Sequence, residues 1–251
     1  MSGHSKWSTI KRKKGAADAK RGQLFTKLGR EIEVAARDGG NPDINFKLRL
    51  ILEKARAANM PKDNIERAIR RGTGEERGEA LEEVIYEAYA PHGVALIIQT
   101  LTDNRNRTVA DIRRVFNRMG GNLGESGSVS WLFEQKGYIA VDAMGVDPDE
   151  VALVAIDAGA DDVVEAGDIV EIYTLLEDFK EVQQALESAG YAISSADLAM
   201  IPKTMIELAP AETVQAMRVI DALEELDDVT NVYSNLSIPD EILTEYENAA
   251  A

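Results

Sequence analysis

Few side chains in this chain are equipped for chemistry. It has no cysteine and two histidines, His4 and His92. Thiolate catalysis, disulfide frameworks, iron–sulfur ligation and cysteine-based zinc sites are therefore excluded. One histidine stands near the chain start and the other beside a turn glycine, positions where an imidazole is ordinarily solvated; at most the two would share a metal with carboxylates. Carboxylates are abundant, with 44 Asp+Glu. They come without histidine partners or metal-ligand spacing, so faces rich in Glu and Asp read as solvated surface. GxGxxG, Walker, GxSxG and HExxH patterns are all missing. The residues imply no catalytic group, no cofactor and no metal, and a protein that is not an enzyme.

What remains is cationic chemistry. Residues 1–30 carry Lys6, Lys11, Arg12, Lys13, Lys14, Lys20, Arg21, Lys27 and Arg30 against a single acid, Asp18. Cations at this density attract phosphate by Coulomb steering and counterion release, although a lysine-rich tail also serves simply to solubilise. Lys20 and Lys27 project about 20° apart on a helix, beside an apolar stripe, so one helix could pack and still face phosphates. Trp7 could stack on a base or anchor the tail on a helical bundle, and packing is the favoured reading. Further on, TDNRNRT puts Arg105 and Arg107 just before an expected helix N-terminus, where free N–H groups and the dipole already favour an anion. The competing reading pairs one or both with Asp103 or another carboxylate. GESG at 124–127 has the GxxG form of KH backbone-gripping loops, but Glu125 would repel phosphate, so an ordinary turn is preferred.

These cations sit in a chain of net charge −16, a value that averages two unlike regions. Residues 1–78 hold 19 Lys+Arg against 10 Asp+Glu, net +9, and residues 79–251 hold 9 against 34, net −25. A basic head on an acidic body points to nucleic acid. With 251 residues and 45% hydrophobic content the chain can bury a sizeable core. No apolar run approaches the ~20 residues that cross a bilayer, and the start lacks a signal-peptide apolar stretch. A cytoplasmic protein without membrane partners is expected.

The elements that must position the cations follow from hydrophobic spacing. Leu24, Phe25, Leu28, Ile32, Ala35 and Ala36 form one helical stripe that stops at Gly39-Gly40; Ile44, Leu48, Ile51, Leu52, Ala55 and Ala58 form a second; a third opens at Pro61 and ends at Gly72. The glycine- and charge-rich stretch 72–80 reads as a linker. VIYEAYAPHGVALIIQTLT then reads as a hairpin around Pro91-His92-Gly93, followed by a helix with Val109, Ile112, Val115, Phe116 and Met119 inward and a capping box at Thr108 and Asp111. Val129, Trp131 and Phe133 alternate as on a strand. A second α+β unit runs through GYIAVD, a helix from Asp147-Pro148, the strand pair DVVEA and DIVEIYT, a helix over 178–189 and a strand near MIPKTMIEL. The helix 211–226 and strand 229–235 lack partners of their own, so they return to complete the earlier sheet. The fold expected is α+β: a basic three-helix domain over 1–78, a discontinuous α+β domain of 79–133 plus 206–251, and an α+β domain over 134–205.

MSGHSKWSTIKRKKGAADAKRGQLFTKLGREI, AANMPKDNIERAIRRG, VIYEAYAPHGVALIIQTLTDNRNRT and LGESGSVSWLFEQKG together resemble the YebC family, also called the PmpR or mitochondrial translational-activator family. The likeness covers essentially the whole chain. The sequence departs from it at IKRKKGAADAKRG, where IKHRKAAQDAKRG is the commoner form, and at NFKLR, where NPRLR is common. The resemblance implies one helical and two α+β domains, no cofactor and no known catalytic site. It also implies a regulator of gene expression acting on nucleic acid: a DNA-binding transcriptional regulator first, with a translation factor that contacts ribosomal RNA on the ribosome as the alternative. An enzyme using acidic residues between domains is a remote third. A monomer is expected.

Overall fold

The structure of the chain, a computed structural model, describes residues 18–77 and 80–250, with side chains over 21–77 and 80–246. His4, Lys6, Trp7, Lys11, Arg12, Lys13 and Lys14 lie outside the described residues, and of Lys20 the backbone alone lies within them. The class is α+β, with eight α-helices and two four-stranded sheets among the described residues. These form two compact units: 18–128 with 215–232, and 129–214 with 233–250.

The first unit begins with three helices, α1 (Asp18–Ala35), α2 (Phe46–Ala57) and α3 (Lys62–Gly72). Their apolar stripes meet in one core of Leu28, Ile32, Ala35, Ala36, Leu48, Ile51, Leu52, Ala55, Met60, Ile65 and Ala68. Two sequence expectations shift here. Leu24 stays partly exposed, and Ile44 precedes the helix because Asn45 caps it. Asn45 Oδ1 accepts the Leu48 N–H at 3.0 Å, while its Nδ2 donates to the carbonyls of Ala35 and Gly39 at 2.8 and 2.7 Å. One buried amide thus joins the end of α1 to the start of α2. At Gly72 a Cβ would stand 2.3 Å from the Glu33 carbonyl oxygen, so only glycine lets α3 approach α1 this closely.

The rest of this unit is a sheet in the order β3-β1-β2-β8, where β1 is Glu82–Tyr89, β2 Ala95–Thr102, β3 Asn122–Leu123 and β8 Val229–Ser234. β1 and β2 form the expected hairpin, Glu82 opposite Thr102 and Tyr89 opposite Ala95. β8 lies beside β2, as the partner argument required; Leu101 N–H donates to the Asp228 carbonyl while Thr230 reaches Gln99, so the two strands run antiparallel. α4 (Arg105–Met119) packs through Ile112, Val115 and Phe116.

The second unit carries β4 (Phe133–Asp142), α5 (Pro148–Asp157), β5 (Asp162–Ala166), β6 (Ile169–Thr174), α6 (Phe179–Ser188) and β7 (Ile193–Pro202), with strand order β5-β6-β4-β7 and antiparallel neighbours. Phe179 fills the space over Gly137, where a Cβ would lie 2.1 Å from the ring, so α6 sits on the face that bears Gly137, Ile139 and Ile172. The opposite face carries Tyr138, Ala140, Ala166, Ile169 and Tyr173, with the buried Glu171 carboxylate accepting from the Tyr138 and Tyr173 hydroxyls at 3.1 and 2.9 Å. The strand expected near 200–208 is seven residues earlier. VSWLF is a 3-10 turn at Ser130–Leu132 before β4, which leaves Trp131 exposed. Helix α7 (Pro210–Glu224) matches the one expected, and a C-terminal helix, α8 (Asp240–Ala250), was not anticipated.

Candidate nucleic-acid interface

α4 starts one turn before the expected capping box. Asn104 is the cap, its Oδ1 accepting the Arg107 N–H at 3.1 Å. Arg105 and Arg107 consequently lie within the first turn, where their charge opposes the helix dipole. Carboxylates offset that conflict. Arg105 pairs with Glu82 at 2.6 Å, and Arg107 pairs with Asp103 at 2.8 Å. Thr108, expected to cap, instead turns its hydroxyl inward to Asp228 at 2.8 Å. Asp111 pairs with Arg114 at 2.8 Å.

Asp228 is the centre of this arrangement. Its side chain is 7% exposed. Arg107 Nη2 lies 2.8 and 2.9 Å from its two oxygens, Arg30 Nη1 lies 3.1 Å from Oδ1, and the Thr102 hydroxyl lies 3.2 Å from Oδ2. Burial alone would push the carboxyl up, but the Arg107 guanidinium and the Thr108 and Thr102 hydroxyls outweigh it and hold Asp228 below the ordinary carboxylate range. Arg107 is in turn pushed up by its bonds to Asp228 and then Asp103. From α1, Lys27 donates to the Glu224 carbonyl at 2.6 Å, satisfying an orphan acceptor at the C-terminus of α7, and Gln23 reaches Asp227 at 3.0 Å. The recess these groups line, about 320 Å³, is bordered by Arg30, Arg107, Thr108, Asp111, Asp227 and Asp228. Three carboxylates against two guanidiniums make it a joint and a poor receptor for phosphate.

Of the cations expected to meet phosphate, Lys27, Arg30, Arg105 and Arg107 therefore hold oxygens of this chain. Arg21 is exposed. Sequence reasoning passed over a different set. Arg56, Arg67, Arg71, Arg113 and Arg118 are exposed, and no ion pair with a carboxylate engages them among the described residues. Their signal was present in the composition: α4 alone carries five of the nine cations in 79–251. Arg113 and Asn117 lie one turn apart on its exposed side, as do Arg114 and Arg118.

The remaining candidates are accounted for locally. GESG is a turn in which Gly127 N–H donates to the Glu87 carboxylate at 2.7 Å. His92 is exposed and 2.9 Å from Gln215 Oε1. No group of three or more His, Asp or Glu placed to hold a metal occurs among the described residues, and no helix there is long and apolar enough to cross a membrane.

Comparison with known proteins identifies the lineage. Residues 5–75 match the family profile described as TACO1/YebC protein N-terminal domain, and residues 81–236 match TACO1/YebC second and third domain. The chain belongs to the TACO1/YebC family. Among TACO1/YebC relatives, a probable transcriptional regulatory protein of Dehalococcoides mccartyi is 52% identical over the full length of both chains. One from Chloroflexus aurantiacus is 53% identical, covering 98% of this chain and 100% of its own. The crystal structure of a conserved hypothetical protein from Aquifex aeolicus superposes with a TM-score of 0.84 at 49% identity, covering 93% of this chain and 97% of that one.

Proposed function

We propose that this TACO1/YebC protein is a non-enzymatic, cytoplasmic, monomeric regulator of gene expression that binds nucleic acid through phosphate contacts. The observation that carries the reading is the outward face of α4, where exposed Arg113 and Arg118 make no ion pair with a carboxylate among the described residues, in an otherwise acidic part of the chain. The proposed surface adds Lys6, Trp7, Lys11, Arg12, Lys13, Lys14, Lys20 and Arg21. Lys27, Arg30, Arg105 and Arg107 join it only where phosphate replaces the oxygens they hold. The division into 1–78, 79–133 with 206–251, and 134–205 is part of the same proposal, and limited proteolysis, with its first cut expected in 72–80, checks it.

Transcription is the first reading, because the relatives are named probable transcriptional regulatory proteins. Translation on the ribosome is the second. It is favoured by charge, since 3 Lys+Arg against 18 Asp+Glu over 129–214 would be repelled by any nucleic acid within a Debye length of about 8 Å, but on a ribosome could face basic ribosomal proteins while the basic residues contact RNA. Affinity for promoter duplexes, scrambled duplexes and structured RNA at physiological salt separates them. Promoter binding ~10³-fold above scrambled DNA establishes the transcriptional reading. Preference for structured RNA, with co-sedimentation on ribosomes, establishes the other. Failure to bind any of them at about 50 mM salt, where phosphate contacts are strongest, removes both.

A further inference from the structure

The second unit presents an apolar surface that its own fold leaves uncovered. Leu153 and Ile156 on α5 are 61% and 57% exposed, and Leu175 and Leu176, just after β6, are 44% and 47% exposed. The segment that carries Leu175 and Leu176 runs on to Asp178, beside the end of α5. Gly159 follows Ile156 by one turn, its Cβ position would lie 3.6 Å from the Asp178 side chain, and Asp161 N–H donates to the Tyr173 carbonyl at 2.8 Å. Val151 and Ala155 are the α5 residues spent on the core, so Leu153 and Ile156 project from the other side of the helix. On that outer side they are bracketed by Asp149 at one end and Asp157 at the other. Exposed apolar groups of this size, clustered and rimmed by charge, mark interaction surfaces more often than stray leucines do.

The charge decides the kind of occupant. Over 129–214 the net charge is −15, which would repel nucleic acid, an anionic lipid surface and a second copy of the same face. We propose that the α5 surface docks a basic amphipathic segment of a protein partner, its apolar residues on Leu153 and Ile156 and its Lys and Arg on the carboxylates around them. This goes beyond the nucleic-acid reading, uses none of its residues and stands if that reading fails.

The test is fluorescence anisotropy of the full chain with a labelled amphipathic Leu/Lys helical peptide at about 0.15 M salt. A Lys/Ser peptide of equal charge and a Leu/Glu peptide of equal hydrophobicity serve as comparisons, and hydrogen exchange locates the site. Binding of the Leu/Lys peptide should protect 149–157 and weaken tenfold or more in Leu153→Ser with Ile156→Ser, since two partly exposed aliphatic contacts are lost. Asp149→Asn with Asp157→Asn should also weaken it, and steepen none of its salt dependence. The Lys/Ser peptide should be indifferent to the serine pair. Affinity within twofold in the serine pair, or equal affinity for the Leu/Glu peptide, overturns the proposal. So does a dimer in sedimentation velocity that the serine pair abolishes, which makes the face a self-interface. A tenfold gain in peptide affinity on replacing Lys11, Arg12, Lys13 and Lys14 by Gln overturns it too, because the chain's own basic head is then the occupant.

Discussion

The two units are held by different chemistry. In the first, one carboxylate, Asp228, gathers guanidiniums from α1 and α4 and hydroxyls from the end of β2 and from α4. In the second, an aromatic ring closes over a glycine, and the buried Glu171 meets two tyrosine hydroxyls. Cations are therefore part of the scaffold in one unit and nearly absent from the other. Charge counts over a sequence do not separate scaffold cations from binding cations, whereas partners do. Lys27, Arg30 and Arg107 hold oxygens of this chain, whereas Arg113 and Arg118 are exposed and make no ion pair with a carboxylate among the described residues.

The sharpest way to break this contrast is to remove each scaffold in turn. Asp228→Ala strands two guanidiniums and two hydroxyls and should cost about 3 kcal/mol in urea unfolding, at the low end for a broken buried pair because Arg107 remains partly exposed. Gly137→Ala drives a methyl into the Phe179 ring and should cost about 2 kcal/mol, the usual scale for overpacking, with loss confined to the second unit in hydrogen exchange. A pH series isolates the carboxylate. Asp228 is held below its ordinary value, so the unfolded chain takes up its proton first, and the stability it lends is complete above about pH 4 and drains away as pH falls through the folded value. Asp228→Asn should flatten that acid limb; an unchanged limb would place the acid sensitivity elsewhere. Smallest of all, Arg105→Gln should shift stability by under about 0.5 kcal/mol, since both Arg105 and Glu82 are mostly exposed.

Much of the fold was legible because it is local. The stripe Leu28, Ile32, Ala35 and the Pro61 and Gly72 punctuation define α1 and α3 without reference to anything distant. β8 could be returned to the first sheet by asking what would cover it. β7 was misplaced because ISSADLAMIP mixes small and polar residues on an edge strand whose burial is intermediate along most of its length, which erases the alternation. Trp131 was drawn into a strand pattern with Val129 and Phe133, although the strand begins only at Phe133. The Asp228 joint was invisible for a different reason: Arg107 and Asp228 are 121 positions apart, and no local pattern chooses among 34 acids which one an arginine will meet. Arg113 and Arg118 were readable from composition but were hidden by averaging α4 into an acidic body.

The most direct test of the division between scaffold and binding cations is the salt dependence of affinity, measured on the full chain with whichever of duplex DNA or structured RNA binds more tightly. Arg113→Gln with Arg118→Gln removes two outward guanidiniums that make no ion pair with a carboxylate among the described residues, so the slope of log K against log salt should become shallower by roughly 1.5 while urea stability stays put. A slope unchanged by that pair would contradict the account and return phosphate binding to other residues.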